Sequence, residues 1–120
     1  MRILIVDDEP QVADVLARSL AREGHTAEVA HSGEEALRRL GAAELDALFL
    51  DVSMPGMNGL DVLAEVKKRR PSLPVVVITG HATPEEMGEV RRLGAVDVIA
   101  KPAPLTHYQQ ALRRLESPAS

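Results

Sequence analysis

The stretch at residues 74–79, Pro-Val-Val-Val-Ile-Thr, has no charged residue and five β-branched residues in a row. Branching at Cβ favours extended backbone. A strand without polar alternation is buried on both faces, as in a parallel sheet covered by helices. Shorter runs rich in apolar residues lie at residues 3–6, 26–30, 47–50 and 96–100. The sequence therefore predicts five strands, of which 74–79 is the clearest.

Amphipathic segments separate these strands. Residues 11–23 place Val12, Leu16 and Leu20 four residues apart, on one face of a helix. Gly24 follows as a helix stop. Further helices are predicted at residues 34–41, 60–70, 84–93 and 105–115. Alternation of five strands with five helices predicts an α/β fold, (βα)5, with a doubly wound parallel sheet and right-handed crossovers.

Two of the helices begin with the pattern of a capping box. These are Ser32-Gly33-Glu34-Glu35 and Thr83-Pro84-Glu85-Glu86. In such a box the Ser or Thr side chain accepts from the N–H of the Glu, and the Glu carboxylate accepts from the N–H of the Ser or Thr. We therefore expect both glutamates to close the start of their own helix.

Composition excludes several classes of protein. The 120 residues suit one domain, and the absence of cysteine excludes disulfide scaffolds, thiol catalysts and cysteine-ligated metal sites. A net charge of −4 and only two aromatic residues, Phe49 and Tyr108, disfavour nucleic-acid contact by this domain. No apolar run approaches the roughly 20 residues that span a bilayer, and the N-terminus meets acids too early for a signal peptide. No membrane association and a cytoplasmic location are therefore expected.

Polar side chains follow the predicted strands at their carboxyl ends. Asp7-Asp8 and then Glu9 follow the first strand, and Asp51 follows the third. Thr79 ends the fourth strand, and Lys101 follows the fifth. In a parallel sheet these ends lie side by side, where such folds carry their sites. Crowded carboxylates repel each other and need a cation, and oxygen ligands suit Mg²⁺ before a transition metal.

Four motifs in this order resemble the receiver domain of two-component response regulators. They are Asp7-Asp8, Asp51-Val52-Ser53-Met54-Pro55-Gly56-Met57-Asn58-Gly59, Thr79-Gly80 and Lys101-Pro102. The resemblance covers essentially the whole chain. It implies a flavodoxin-like sheet with strand order 2-1-3-4-5. It also implies a phosphorylation-dependent signalling switch whose own chemistry is phosphotransfer onto itself and autodephosphorylation, not metabolism.

The same resemblance implies a role for each motif residue. Asp51 is expected to accept a phosphoryl group from a sensor histidine kinase or a phosphotransfer protein. Thr79 and Lys101 are expected to contact that group, with backbone N–H groups around Val52 and Gly80. Lys101-Pro102 is expected to be a cis peptide bond. The implied ligands of Mg²⁺, for which Mn²⁺ could substitute, are Asp8 directly, Asp7 through water, Asp51 and the backbone carbonyl of Ser53.

Several positions differ from the family pattern or vary within it. Val98 stands where the family usually has an aromatic residue or His that swings with the Thr, and Ala103 replaces a frequent Phe. The switch is therefore expected to work through helix displacement or dimerisation. The possible dimer surfaces are the fourth helix, fifth strand and fifth helix, or the first and fifth helices. Ser53 and His81 occupy the two positions that tune dephosphorylation in the family.

Two other functions stay open at this stage. The first is a receiver-like interaction module that does not use phosphate, which Val98 and Ala103 favour. The second is an aspartate-nucleophile phosphatase or mutase, which is disfavoured because Ser53 stands where that class has an Asp. His25, His31 and His107 have no metal-ligand spacing and are expected at the surface. Residues 1–116 form the predicted receiver domain, and residues 117–120 a tail or the start of a linker to an effector domain.

Overall fold

The computed structural model describes residues 1–42, 44–54, 58–81 and 83–116, so the predicted tail 117–120 and part of the motif after Asp51 lie outside the described residues. Strands and helices alternate along the chain. The strands are β1 Arg2–Val6, β2 Thr26–Ala30, β3 Ala47–Asp51, β4 Val75–Thr79 and β5 Asp97–Ala100. The helices are α1 Pro10–Arg22, α2 Gly33–Ala42, α3 Gly59–Arg69, α4 Pro84–Arg92 and α5 Leu105–Glu116.

The strands form one parallel sheet in the order β2-β1-β3-β4-β5, which confirms the predicted topology. Asp51 pairs with Ile78 across β3 and β4, and Thr79 pairs with Ala100 across β4 and β5. This register brings the polar strand ends to one edge of the sheet. Predicted and observed element ends differ by at most one residue, and this includes α2, which extends one residue further at each end, to Gly33 and Ala42.

The core lies on both faces of the sheet. Alternate residues of β3 and β4 point to opposite faces, and every residue of both strands is buried. One face packs against α2, α3 and α4, and the other against α1 and α5, where the Phe49 and Tyr108 rings meet edge to face at 6.1 Å. Burial on both faces confirms the interpretation of 74–79 as a strand of a covered parallel sheet.

Each predicted capping box forms only one of its two hydrogen bonds, the one accepted by the Ser or Thr side chain. Ser32 Oγ accepts from the Glu35 N–H at 3.1 Å, and Thr83 Oγ1 accepts from the Glu86 N–H at 3.1 Å. The second bond, from the Ser32 or Thr83 N–H to the Glu carboxylate, was wrongly predicted in both cases. The Glu35 carboxylate accepts instead from the His31 N–H at 3.2 Å. The Glu86 carboxylate turns toward the site described below.

His25 is not the surface residue that its isolated position in the sequence predicts. Its side chain is only 9% exposed. Nδ1 lies 3.1 Å from the Met1 amine, and Nε2 lies 3.2 Å from a carboxylate oxygen of Glu116. The turn after α1 thus places the imidazole ring between the N-terminus and the end of α5. His31 and His107 are exposed, as expected.

Within the described ranges, no helix is both long and apolar enough for a membrane crossing.

Candidate functional site

The carboxyl ends of β1, β3, β4 and β5 form the candidate site. Asp7 follows β1, Asp51 ends β3, Thr79 ends β4 and Lys101 follows β5. The side chains of Asp7 and Asp51 are each 2% exposed, and that of Thr79 is fully buried. Buried polar groups need partners. The sequence therefore correctly predicted that residues far apart along the chain share one edge of the sheet.

Four carboxylates crowd this edge. Asp7, Asp8, Glu9 and Asp51 each offer an oxygen, and these oxygens lie within 4.8 Å of one another. Asp8 and Glu9 are exposed, so the cluster opens to solvent. Hard oxygen ligands at this spacing fit Mg²⁺. Sequence reasoning placed Glu9 at this edge but left it out of the ligand set.

Lys101 lies among three of these carboxylates. Its Nζ is 2.6 Å from Asp51 Oδ2, 3.1 Å from Glu9 Oε1 and 3.3 Å from Asp7 Oδ2. Burial lowers the pKa of the ammonium. The hydrogen bonds to Asp51 and Glu9 and the charges of Asp51 and Asp7 raise the pKa by more than burial lowers it, so the pKa of Lys101 lies above its ordinary value. The Lys101-Pro102 peptide bond is cis, as the resemblance implies. The ammonium therefore stays charged at any physiological pH.

The surroundings of Asp7 change the pKa of its carboxyl. Burial raises the pKa of its carboxyl above the ordinary value, against the lowering by the Glu9 N–H and by Lys101. The Glu9 N–H donates to Asp7 Oδ1 at 2.9 Å. The nearby charge of Asp51 raises the pKa of Asp7 as well. Added positive charge at this edge therefore favours the ionised Asp7.

The Asp51 carboxylate is held at both of its oxygens. The Ser53 N–H donates to Oδ1 at 2.8 Å, and Lys101 holds Oδ2. The Val52 N–H donates to the Ile78 carbonyl at 2.9 Å in continuation of the sheet. Ser53, rather than Val52, is thus the residue whose N–H faces Asp51.

Thr79 has a partner that the sequence did not indicate. Its hydroxyl donates to the Glu86 carboxylate of α4 and accepts from the His81 N–H at 3.0 Å. Ser53 Oγ lies 3.4 Å away. The Thr83 N–H donates to the His81 carbonyl at 2.8 Å, and this bond leaves Glu86 free to reach Thr79. The capping-box pattern was the only signal at Glu86, and it pointed to the wrong partner.

The remaining predicted positions surround this centre. The Gly80 N–H donates to Ser53 Oγ at 2.8 Å, so its predicted contact with a phosphoryl group stays a prediction. His81 is exposed. Val98 on β5 is half-buried against the core on the α3 and α4 face, and Ala103 packs against the core on the α1 and α5 face. The two aromatic rings of the chain lie in that second core, so neither occupies the position of Val98.

Comparison with known proteins gives the same family at each level. A profile of the response regulator receiver domain matches residues 3–113. Response regulator MprA of Mycobacterium ulcerans (strain Agy99) is 38% identical over 115 residues, which cover 96% of this chain and 50% of that protein. The chain thus spans about half the length of this curated relative.

Solved structures that share the fold and exceed 25% identity include the following two. The receiver domain of NtrX from Brucella abortus has a TM-score of 0.88 and 36% identity, with 98% of this chain and 99% of that one covered. The response regulator protein TrrA from Thermotoga maritima, in complex with Mg²⁺-BeF, has a TM-score of 0.83 and 29% identity, with coverages of 95% and 97%.

Proposed function

The chain belongs to the response regulator receiver domain family, whose function is a phosphorylation-dependent switch, and we propose that Asp51 is its phosphoacceptor. The observation that carries the proposal is the Asp51 carboxylate itself. It is buried at the end of β3, bonded to Lys101 at 2.6 Å, and lies inside the acidic cluster. A carboxylate is a nucleophile that is already ionised at neutral pH.

The proposed reaction is phosphoryl transfer from a phosphohistidine. An Asp51 oxygen attacks phosphorus, an O–P bond forms and the P–N bond breaks. The histidine nitrogen leaves with the electron pair and takes a proton from solvent. The Ser53 N–H and the Lys101 ammonium each hold one carboxylate oxygen, so together they orient the nucleophile. Thr79 and the Gly80 N–H are the further donors that we assign to the phosphoryl oxygens.

The family binds Mg²⁺ at its acidic pocket, and the donor set of this chain fits that ion. We assign it to Asp7, Asp8, Asp51 and the Ser53 carbonyl, and propose that Mn²⁺ can substitute. When bound, the ion supplies positive charge that offsets the charge of the phosphoryl oxygens. Because Asp8 is exposed, the acidic cluster is open to solvent. The Lys101 ammonium balances part of the negative charge of the cluster.

Response regulators act with histidine kinases, so the proposed donor is a sensor histidine kinase or a phosphotransfer protein. We propose residues 1–116 as the receiver domain, with output and any nucleic-acid contact in a part of the protein outside it. A cytoplasmic location suits these partners. A homodimer through α4, β5 and α5, or through α1 and α5, is the proposed change of assembly. No contact with nucleic acid or membrane is assigned to the receiver domain itself.

Two groups of residues are proposed to adapt the switch. Ser53 and His81 flank the acceptor site and are assigned to tuning of the phosphoryl lifetime. Val98 is small and stiff at χ1 and cannot make the swing of an aromatic side chain. We therefore propose that the signal passes through displacement of α4 or dimerisation.

The test is the intact mass of the protein after incubation with acetyl phosphate and Mg²⁺. We expect one added phosphoryl group on the parent, none on Asp51→Asn, and none when EDTA removes the metal. Asp61→Asn, an exposed acid at the start of α3, is the matched control and is expected to be labelled like the parent. Labelling of Asp51→Asn contradicts the assignment. If the parent takes up nothing from acetyl phosphate or from phosphorylated kinases, the phosphate-independent interaction module becomes the better reading.

A further inference from the structure

We propose that Glu86 is a positioning residue: in the unphosphorylated protein it binds the Thr79 hydroxyl, and it competes with the phosphoryl group for that hydroxyl. The inference rests on the proposed phosphorylation of Asp51. It adds a specific residue of α4 to the site at the carboxyl ends of the strands. Thr79 is fully buried, and Glu86 in the first turn of α4 is half-buried.

The Thr79 hydroxyl carries a single proton, which it can donate to one acceptor at a time. An ionised carboxylate can only accept, so Thr79 is the donor in its bond with Glu86. The hydroxyl oxygen accepts from the His81 N–H at 3.0 Å. A phosphoryl oxygen on Asp51 is also an acceptor and needs the same proton. Thr79 can therefore serve Glu86 or the phosphoryl group, but not both.

The local backbone explains why Glu86 is available for this contact. The Thr83 N–H, which a capping box would pair with Glu86, donates to the His81 carbonyl at 2.8 Å. The Glu86 N–H donates to Thr83 Oγ1 at 3.1 Å, so the helix start is satisfied without the carboxylate. The side chain of Glu86 is thereby committed to Thr79 rather than to its own helix.

This competition connects the site to α4. A phosphoryl group on Asp51 adds negative charge and three acceptor oxygens. It draws the Thr79 proton away and repels the Glu86 carboxylate, so the first turn of α4 loses its tie to β4. Because coupling is reciprocal, loss of Glu86 must in turn favour the phosphorylated arrangement. The connection does not require an aromatic residue at Val98.

The test measures the affinity of the protein for beryllofluoride, a phosphoryl analogue, with saturating Mg²⁺ by calorimetry. Loss of one charge-assisted hydrogen bond that opposes binding should tighten Kd by about fivefold to tenfold in Glu86→Ala. Glu86→Gln keeps an acceptor oxygen and is expected to fall between Glu86→Ala and the parent. Glu85→Ala removes the same charge from an exposed neighbour and is expected to bind like the parent.

A double-mutant cycle separates positioning from a general effect on charge or folding. In a Thr79→Val background the hydroxyl is absent, so Glu86→Ala should no longer change Kd. The backbone amide resonances of Thr79 and Gly80 in unligated Glu86→Ala should also shift toward their positions in the beryllofluoride-bound parent. Such a shift is not expected from a side chain that only supports the helix.

The outcomes distinguish this inference from the function on which it rests. Binding by the parent that Glu86→Ala does not tighten, or a gain that persists in Thr79→Val, overturns the role of Glu86 alone. No binding by the parent overturns the proposed chemistry of Asp51, and the role of Glu86 with it. Tightening that depends on Thr79, with Glu86→Gln in between, supports both.

Discussion

Lys101 sets the charge balance at the scale of single residues. Its ammonium forms ion pairs with Asp7, Glu9 and Asp51, three of the four clustered carboxylates. The negative charge is therefore only partly neutralised in the metal-free protein. Repulsion between carboxylates destabilises the folded state, because only folding brings these residues together. A site built to bind a cation thus lowers the stability of the protein without it.

Asp7→Asn is expected to stabilise the metal-free protein. In EDTA at pH 7 we expect its free energy of unfolding to exceed that of the parent by on the order of 1 kcal/mol. The amide removes a buried negative charge but keeps an oxygen for the Glu9 N–H. Denaturant titration measures the difference. Asp14→Asn, an exposed change on α1, is the control and should lie within about 0.5 kcal/mol of the parent.

The gain from Asp7→Asn should depend on pH. The pKa of Asp7 is raised in the folded protein by burial, so the folded state holds that proton more tightly than the unfolded chain. Ionised Asp7 therefore lowers stability above its folded pKa, and the penalty disappears as pH falls below the ordinary value of 3.8. The difference between variant and parent should shrink on acidification. A difference that grows at low pH contradicts the assigned cause.

At this scale the sequence predicted the residues that the fold itself brings together. Asp7, Asp51, Thr79 and Lys101 lie at strand ends, and parallel pairing is enough to collect them. The Thr79 partner Glu86 could not be predicted, because it depends on which acceptor the Thr83 N–H finds. The backbone conformation of the turn before α4 determines that acceptor, and the residue types in the sequence do not indicate it.

At the scale of elements, α3 holds the segment that follows Asp51. Asn58 Oδ1 accepts from the Leu60 N–H at 3.1 Å and from the Asp61 N–H at 3.3 Å, which starts the helix. Gly59 packs directly on the backbone of Val52, because a Cβ built there would lie 2.3 Å from Val52 Cα. The start of α3 is thus in contact with the residue that directly follows β3. Close approach of backbone to backbone is what requires glycine here.

Gly59→Ala and Gly88→Ala should act in opposite directions. The first forces a methyl group into the Val52 backbone and is expected to destabilise the protein by about 2 kcal/mol or more. Gly88 lies inside α4 with nothing within 4 Å of a built Cβ, so alanine there should stabilise by about 0.5–1 kcal/mol. Denaturant titration of both variants measures the pair. A neutral Gly59→Ala would mean that α3 can move away from β3 at little cost.

The elements themselves could be predicted because each strand is apolar and each helix has a clear apolar face. β2 is less apolar and less buried than β1, β3 and β4, and its position at the edge of the sheet explains this difference. It is an edge strand whose residues are mostly half-buried, and Glu28 on it pairs with Arg39 of α2 at 2.9 Å. Several strand ends differ from the prediction by one residue, because the last residue of a strand is set by its pairing partner on the neighbouring strand. Arg2 joins β1 since it pairs with Thr26.

At the scale of the whole molecule, basic residues recur at the carboxyl ends of the helices. Each helix runs back against its strand, so the last turns of the helices lie at the end opposite the site. All five helices carry basic residues in their last turn, which favours the helix dipole. The acidic cluster and its single Lys101 lie at the other end. The acidic cluster attracts a cation to the site and makes the approach of an anionic phosphodonor dependent on that cation.

Mg²⁺ should therefore stabilise the whole fold and not only its site. The proposed ligands come from β1 and β3 and are collected only in the folded state, so the unfolded chain offers no comparable site. At a concentration about 100 times Kd, binding to the folded state alone adds about 2.7 kcal/mol, which corresponds to a rise in Tm of roughly 5–15 °C. Thermal unfolding against Mg²⁺ concentration measures this rise, and EDTA should reverse it.

The control for general salt effects is NaCl at the same ionic strength, which screens the carboxylates but does not bind between them. We expect NaCl to raise Tm by only a small part of the Mg²⁺ effect. Asp8→Asn changes an exposed residue that we propose as a ligand, so this variant should fold normally and lose most of the Mg²⁺ response. An equal response in Asp8→Asn, or an equal effect of NaCl, would show that screening rather than ligation stabilises the fold. The same carboxylates destabilise the metal-free protein and are proposed to bind the metal. The stability gained by Asp7→Asn and the stability gained by adding Mg²⁺ to the parent must therefore be measured in the same buffer.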